Sequence, residues 1–311
     1  MDDQAKAVIA LASRLGDSQR PSLSPTRWHR FTTNLYDAGL MLADVFATDF
    51  DTAKVPGIDG DIAAAVDELL TTAAAATVEA SELERHGIRV ITIVDEDYPQ
   101  PFVDRLGKLA PPVIYAVGNL SLMRGDGIGI VGSRNIDEAG KNATEQIAEL
   151  TVEHGRSVVS GGARGVDQFA MNAAFMAGGT VIGVLADSLQ GKIRNGDMLR
   201  AIDSGTVCLL SQQIPSAGFT PASAMGRNKL VYSLTETTVV IASDLDKGGT
   251  WAGATEALKK GFCDVAIWQG PGGGPGNDRL VSLGGRPVSN PADVFRRAES
   301  PTSTGEQLRL A

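Results

Sequence analysis

The sequence predicts an α/β fold: an extended Rossmann-like, doubly wound and mostly parallel sheet, preceded by a small N-terminal α-helical domain. Three observations predict it. Short, near-continuous apolar runs alternate with helical patterns from about residue 127 to 268, the order that gives a parallel sheet covered on both faces. Two of these runs, 128–131 and 157–160, each stop at a small-residue turn carrying an arginine, and each turn leads into a helical pattern. That is a βαβ unit, whose crossover is right-handed. The first 85 residues, in contrast, read as helices.

Taken in order, 1–16 reads as an amphipathic helix and 20–25 (RPSLSP) as a turn. Residues 28–48 carry a loose helical stripe (Phe31, Leu35, Leu40, Leu42, Val45, Phe46) broken by Gly39. A turn at 55–58 precedes an Ala-rich helical pattern over 61–85. Residues 1–85 are therefore expected to form the helical domain. The runs 89–94 and 113–117 are β-branched and bounded by Asp-rich and Pro-rich turns, so they should be short strands joining or flanking the main sheet. The main strands are expected at 128–131, 157–160, 181–185, 207–210, 238–242 and 264–268. The helices are expected near 138–153, 165–177, 195–204, 227–234 and 250–260. A Gly/Pro loop follows residue 270, then a short segment to 295. The Rossmann-like domain is thus expected to span 86–295, and the polar tail 296–311 is expected to be disordered.

Composition narrows the function classes. The chain has 311 residues, 36 glycines and 5% aromatics, which suits a glycine-looped α/β protein. No apolar run approaches the length of a membrane span. The N-terminus lacks the basic start and long apolar stretch of a signal peptide, so a cytoplasmic protein is expected. Cys208 and Cys263 sit in apolar runs and read as buried reduced thiols. His29, His86 and His154 share no ligand spacing with them, and Asp95-Glu96-Asp97 reads as a solvated turn. No metal and no cofactor are expected. The net charge of −9 excludes an indiscriminately basic nucleic-acid binder but not a local basic site.

In a sheet of this kind, ligands bind beyond the carboxyl ends of the strands. Four segments are expected there: Gly132-Ser133-Arg134-Asn135; Ser160-Gly161-Gly162-Ala163-Arg164-Gly165-Val166-Asp167; Gly226-Arg227-Asn228-Lys229, read as opening a helix; and Lys247-Gly248-Gly249-Thr250. Glycines let a backbone come close and adopt positive φ. Amides at a helix start face an anion with the positive dipole end. Ser133, Ser160 and Thr250 add hydroxyls, and Arg134, Arg164, Arg227, Lys229 and Lys247 add charge. The reading is a phosphate-binding groove. Asp167 can join it, or can cap its helix or hold a neighbouring arginine; Asn228 can touch ligand or fix its loop. The first turn does not match G-x-G-x-x-G, since Gly127 and Gly129 precede the strand end, and no Walker A, G-x-S-x-G or H-E-x-x-H pattern is present. A non-enzymatic binder is expected.

These segments, together with Gly87-Ile88, Asp97-Tyr98-Pro99, Pro111-Pro112, Tyr115, Gly118-Asn119, Gly140, Ala257, Pro271-Gly272, Gly276-Asn277 and Leu280, resemble the DNA-processing protein A (Smf) family of recombination mediators. The resemblance implies an extended Rossmann fold with single-stranded DNA in a basic pocket. It also implies a homodimer, and loading of a RecA-type recombinase during DNA uptake and natural transformation. It places DNA contacts on Gly132, Ser133, Arg134, Gly161, Gly162, Arg164, Arg227, Asn228 and Lys229. Lys229 stands where the family has arginine, Gly248-Gly249 where it has Ser-Gly, and Ala224-Met225-Gly226 where Phe-Pro is usual. The C-terminal winged-helix domain that many members carry is not expected in this chain. Phe169, Phe219 and Trp251 are candidates for stacking on a base. Two other readings use the same pocket. One is a sensor of a small nucleotide signal, for example in phage defence. The other is a phosphoribohydrolase of the lonely-guy type, with Glu256 as its displaced carboxylate.

Overall fold

The computed structural model describes residues 1–296; the tail expected to be disordered lies outside them apart from Arg296. Four helices come first: α1 (Asp3–Ala12), α2 (Pro25–Asp37), α3 (Gly60–Leu70) and α4 (Ala73–Arg85). Short polar residues start three of them, because a side-chain oxygen satisfies an amide that the first turn leaves free. Asp2 accepts from the Ala5 amide at 2.8 Å and Asp59 from the Ile62 amide at 2.8 Å. Ser24 caps α2, with Pro25 at its first position. Three expected helices are shorter than the sequence suggests, the first ending at Ala12 instead of residue 16. The pattern over 61–85 breaks at Thr71 and Thr72, whose hydroxyls turn back onto the carbonyls of Glu68 and Leu69. The stripe over 28–48 ends at Asp37, and Gly39 at φ +76° turns the chain into a 3-10 segment, Leu42–Phe46.

The remaining chain alternates as expected: β1 (Arg89–Thr92), α5 (Gln100–Leu106), β2 (Val113–Gly118), β3 (Gly127–Val131), α6 (Glu138–Glu153), β4 (Ser157–Ser160), α7 (Val166–Met176), β5 (Val181–Val184), α8 (Leu189–Lys192), α9 (Gly196–Asp203), β6 (Val207–Ser211), α10 (Pro221–Leu234), β7 (Thr237–Val240), α11 (Gly248–Lys260), β8 (Asp264–Trp268), α12 (Asn277–Ser282) and β9 (Arg286–Val288). The short α5, α8, α12 and β9 were not foreseen. The strands form one nine-stranded sheet in the order β1-β2-β6-β5-β4-β3-β7-β8-β9. The β1–β2 and β2–β6 pairs are antiparallel, and all pairs from β6 to β9 are parallel. The two β-branched runs thus flank the main sheet at one edge. At the other edge β9 carries Pro287, tolerated where one side has no ladder partner.

Strand side chains alternate between faces. Ile128, Val158, Val181, Leu209 and Val239 face α6 and α7 in one apolar cluster; Val159, Ile182, Leu210, Val240 and Ile267 face α5, α10 and α11 in the other. The apolar faces of α1–α4 run into the first cluster beside Val113, Tyr115 and Val117 of β2. The sheet is therefore covered on both faces, and its ligand-accepting edge is at the carboxyl ends of the strands.

Candidate functional site

The strand order reverses at β3, which pairs with β4 on one side and β7 on the other. Loops leaving neighbouring strands in opposite directions open a crevice at that point. The turn after β3 is closed by the Ser133 amide donating to Ala242 O at 2.8 Å, and by Ser133 Oγ donating to Asn135 O at 2.9 Å. Asp137 then caps α6. In the turn after β4, Gly162 and Gly165 have φ of +68° and +88°, a region costly for other residues. A Cβ on Gly165 would stand 2.4 Å from Ser133 O, and one on Gly132 would stand 2.5 Å from a Val166 methyl. These glycines let the two turns lie against each other.

That packing fixes the cations. Arg134 and Arg164 are both exposed. Arg164 Nη2 donates to Asn135 Oδ1 at 3.1 Å, and the Arg134 guanidinium lies 6.0 Å from the centre of the Phe219 ring. Ser160 does not take the expected role. Its hydroxyl is fully buried and donates to Ile130 O at 2.6 Å, tying β4 to β3.

The third segment is not a helix start. α10 opens at Pro221, where Thr220 Oγ1 accepts from the Ser223 amide at 2.9 Å and Ser223 Oγ accepts from the Thr220 amide at 3.0 Å. Gly226–Lys229 therefore lies mid-helix, where successive side chains point about 100° apart. A Cβ on Gly226 would meet Gln212 Nε2 at 2.3 Å, so this glycine admits a neighbouring side chain. Arg227 turns inward and is 6% exposed, with Nη1 3.4 Å from Asp167 Oδ2. Gly161 makes that possible, because a Cβ there would lie 1.1 Å from Arg227 Nη1. Asn228 Nδ2 donates to Gly249 O at 3.1 Å, fixing the fourth loop. Lys229 leaves the site: its Nζ is 3.3 Å from Glu256, and it lines a separate cavity of about 840 Å³ shared with β2 and the N-terminal segment.

Asp167 is buried beneath the site. Burial pushes its carboxyl up, opposed by Arg227 and by the amides of Ala163, Gly161 and Gly132. Burial lowers Arg227, with Asp167 opposing and Arg134 adding to the shift; a guanidinium starts high enough to stay charged at neutral pH. Asp167 and Arg227 thus form the floor that holds the two glycine turns against α10.

In the fourth segment, Asp246 and Gly248 have φ of +58° and +84°. The chain enters α11 at Gly248, and Lys247 supplies no side-chain cap, which leaves first-turn amides free to face an anion. Lys247, Gly248, Gly249 and Thr250 line a cavity of about 550 Å³ with Gly132, Ser133, Arg134 and Asn228. A second cavity, of about 380 Å³, opens at the ends of β4 and β5 and is lined by Gly161, Gly162, Arg164, Asp187 and Lys192. Arg134, Ala163, Phe219 and Arg227 border both cavities. Asp187 and Lys192 were missed in the sequence; they follow β5, and only the strand order shows that β5 ends beside β4. Of the stacking candidates, Phe219 is 52% exposed at this border. Phe169 sits under Lys141, and Trp251 packs on the apolar core. Glu256 lines neither cavity.

The doubly wound, mostly parallel sheet with a cationic crevice at its switch point defines a protein of the Rossmann-like class. The family model for DNA recombination-mediator protein A matches residues 89–299, more than half of the chain. The chain belongs to that family. It is 30% identical over 219 residues to the DNA processing protein DprA of Bacillus subtilis, covering 67% of this chain and 71% of that one. The crystal structure of DNA processing protein A from Streptococcus pneumoniae superposes with a TM-score of 0.71 at 20% identity, covering 94% of this chain and 97% of the other. DNA processing protein A from Helicobacter pylori, solved in a study of its single-stranded DNA binding mode, gives a TM-score of 0.54 at 22% identity, covering 66% and 93%.

Proposed function

We propose that this chain binds single-stranded DNA across the switch-point crevice. One observation carries the reading: two exposed guanidiniums, Arg134 and Arg164, and one exposed aromatic ring, Phe219, line two joined cavities at the sheet edge. Guanidiniums and helix-start amides suit successive phosphates, and an exposed ring suits an unpaired base. The amides and side chains of Gly132, Ser133, Gly161, Gly162, Lys247, Gly248, Gly249 and Thr250 complete the backbone-binding surface. Asp167 and Arg227 support it from beneath, and Ser160 from within the sheet. The single-stranded DNA binding mode described for the Helicobacter pylori relative points the same way.

The site is read as a binding site, not a catalytic one. Glu256, the carboxylate that a phosphoribohydrolase would need, is engaged by Lys229 outside the crevice. Incubation with AMP should release no adenine. Family membership supports a homodimer that delivers single strands to a RecA-type recombinase during DNA uptake or related processing. Fluorescence anisotropy with single- and double-stranded oligonucleotides tests the central claim. Arg164→Ala should lose most single-strand affinity, and unchanged affinity at moderate salt would remove this site from consideration.

A further inference from the structure

We propose that the smaller cavity, at the ends of β4 and β5, selects guanine, and that Asp187 is the residue that selects it. The inference rests on the single-strand reading above and names the base preference of that site. The cavity holds about 380 Å³, within the usual range for a small-ligand cleft. Four of its lining residues are cations: Arg134, Arg164, Lys192 and Arg227. Asp187 is its one carboxylate. A cavity built only for phosphate would gain nothing from an acid in its wall. Nor is Asp187 needed as the counterion of the buried Arg227, since Asp167 takes that place at 3.4 Å. Among the described residues Asp187 has no hydrogen bond and no ion pair; its only interaction is its field at Arg227. Asp187 is half-buried; the Arg227 Nε of the same cavity is buried and also lacks a partner.

An ionised carboxylate offers two acceptor oxygens side by side and no donor. Guanine presents two adjacent donors, N1–H and the exocyclic N2 amino group. Adenine and cytosine each place a ring-nitrogen acceptor beside their amino group, and thymine sets its imino N–H between two carbonyls. Only guanine matches both oxygens without facing one of them with a lone pair. Single-stranded bases are read on this edge while their faces stack. Phe219 at the mouth supplies the face, and Arg134 and Arg164 take the flanking phosphate.

The test is anisotropy of the full chain with an oligo-dT and with the same oligomer carrying one central dG, dA or dC, at one salt concentration. GMP and AMP serve as competitors. The dG oligomer should bind about tenfold tighter than the others, and GMP should compete better than AMP. In Asp187→Asn and Asp187→Ala the dG preference should fall to about one. Equal affinities for all four oligomers in the parent chain would overturn the inference and leave the single-strand reading standing. So would Asp187→Ala raising all four equally with the dG ratio intact, which would make Asp187 a general electrostatic brake. GMP binding in preference to AMP without any oligonucleotide binding would support the base preference and overturn the single-strand reading. Binding of neither class would overturn both.

Discussion

Arg227 and Arg164 come from two similar-looking motifs, yet their surroundings give them different work. The Arg227 side chain is 8% exposed and faces Asp167, also 8% exposed. Removing one partner of such a pair strands the other charge and costs about 3–5 kcal/mol. Asp167→Asn and Arg227→Ala should therefore each lower the denaturation midpoint markedly, and any loss of DNA affinity will come with it. Arg164 is exposed, and Arg164→Ala should lose affinity while the melting temperature stays within a degree or two. Equal melting temperatures for the two arginine variants would contradict the assignment of a buried strut. The cysteines give a second check at this scale. Burial pushes the Cys263 thiol up to about 11 and Cys208 up to about 12. A raised pKa keeps a thiol neutral until alkaline pH, so roughly a thousandth or less of either is the reactive thiolate at pH 8. A thiol reagent should label the native protein slowly at that pH and rapidly in denaturant.

At the scale of elements, the glycine turns carry the strongest predictions. Gly161→Ala would place a Cβ on the Arg227 guanidinium, and Gly165→Ala would combine a 2.4 Å approach to Ser133 O with a φ of +88°. Each should cost more than 2 kcal/mol by denaturant unfolding, whereas Gly155→Ala, at a helix end with open space around it, should cost less. The sequence made these turns visible, as it did α6 and β4, whose bounds match the periodicity. It suggested that the glycines serve a ligand; the structure adds that Gly132 and Gly165 also permit the contact between two turns, a relation between distant residues that spacing cannot show. α10 was misread for a different reason. Thr220-Pro221 with Ser223 is a legible helix start, but Gly226 invited a start six residues later; its actual reason, the Gln212 side chain, lies on another element. The correction moves Lys229 out of the crevice. Lys229→Ala should accordingly change single-strand affinity less than twofold, and a loss like that of Arg164→Ala would require a different path for the strand.

At the scale of the whole molecule, a chain of net charge −9 gathers Arg134, Arg164 and Lys192 at one edge of its sheet. The surrounding acidity opposes any polyanion that does not enter the crevice, so binding should be local and its salt dependence shallow. Each phosphate neutralised on a single strand contributes about −0.7 to the slope of log affinity against log salt. With Lys247 of the adjoining cavity, four cations give a slope of about −3, and a fourfold rise in salt should weaken binding by roughly fiftyfold. A slope several times steeper would mean that other basic surfaces share the strand; a flat response would mean that phosphates are not the ligand. A duplex brings a higher charge density but keeps its bases stacked on one another, so it cannot offer one to Phe219. It should bind more weakly than a single strand of equal length at every salt concentration, and Phe219→Ala should narrow that gap by weakening the single strand alone. If Phe219→Ala weakened both equally, the ring would be holding Arg134 in place instead of meeting a base.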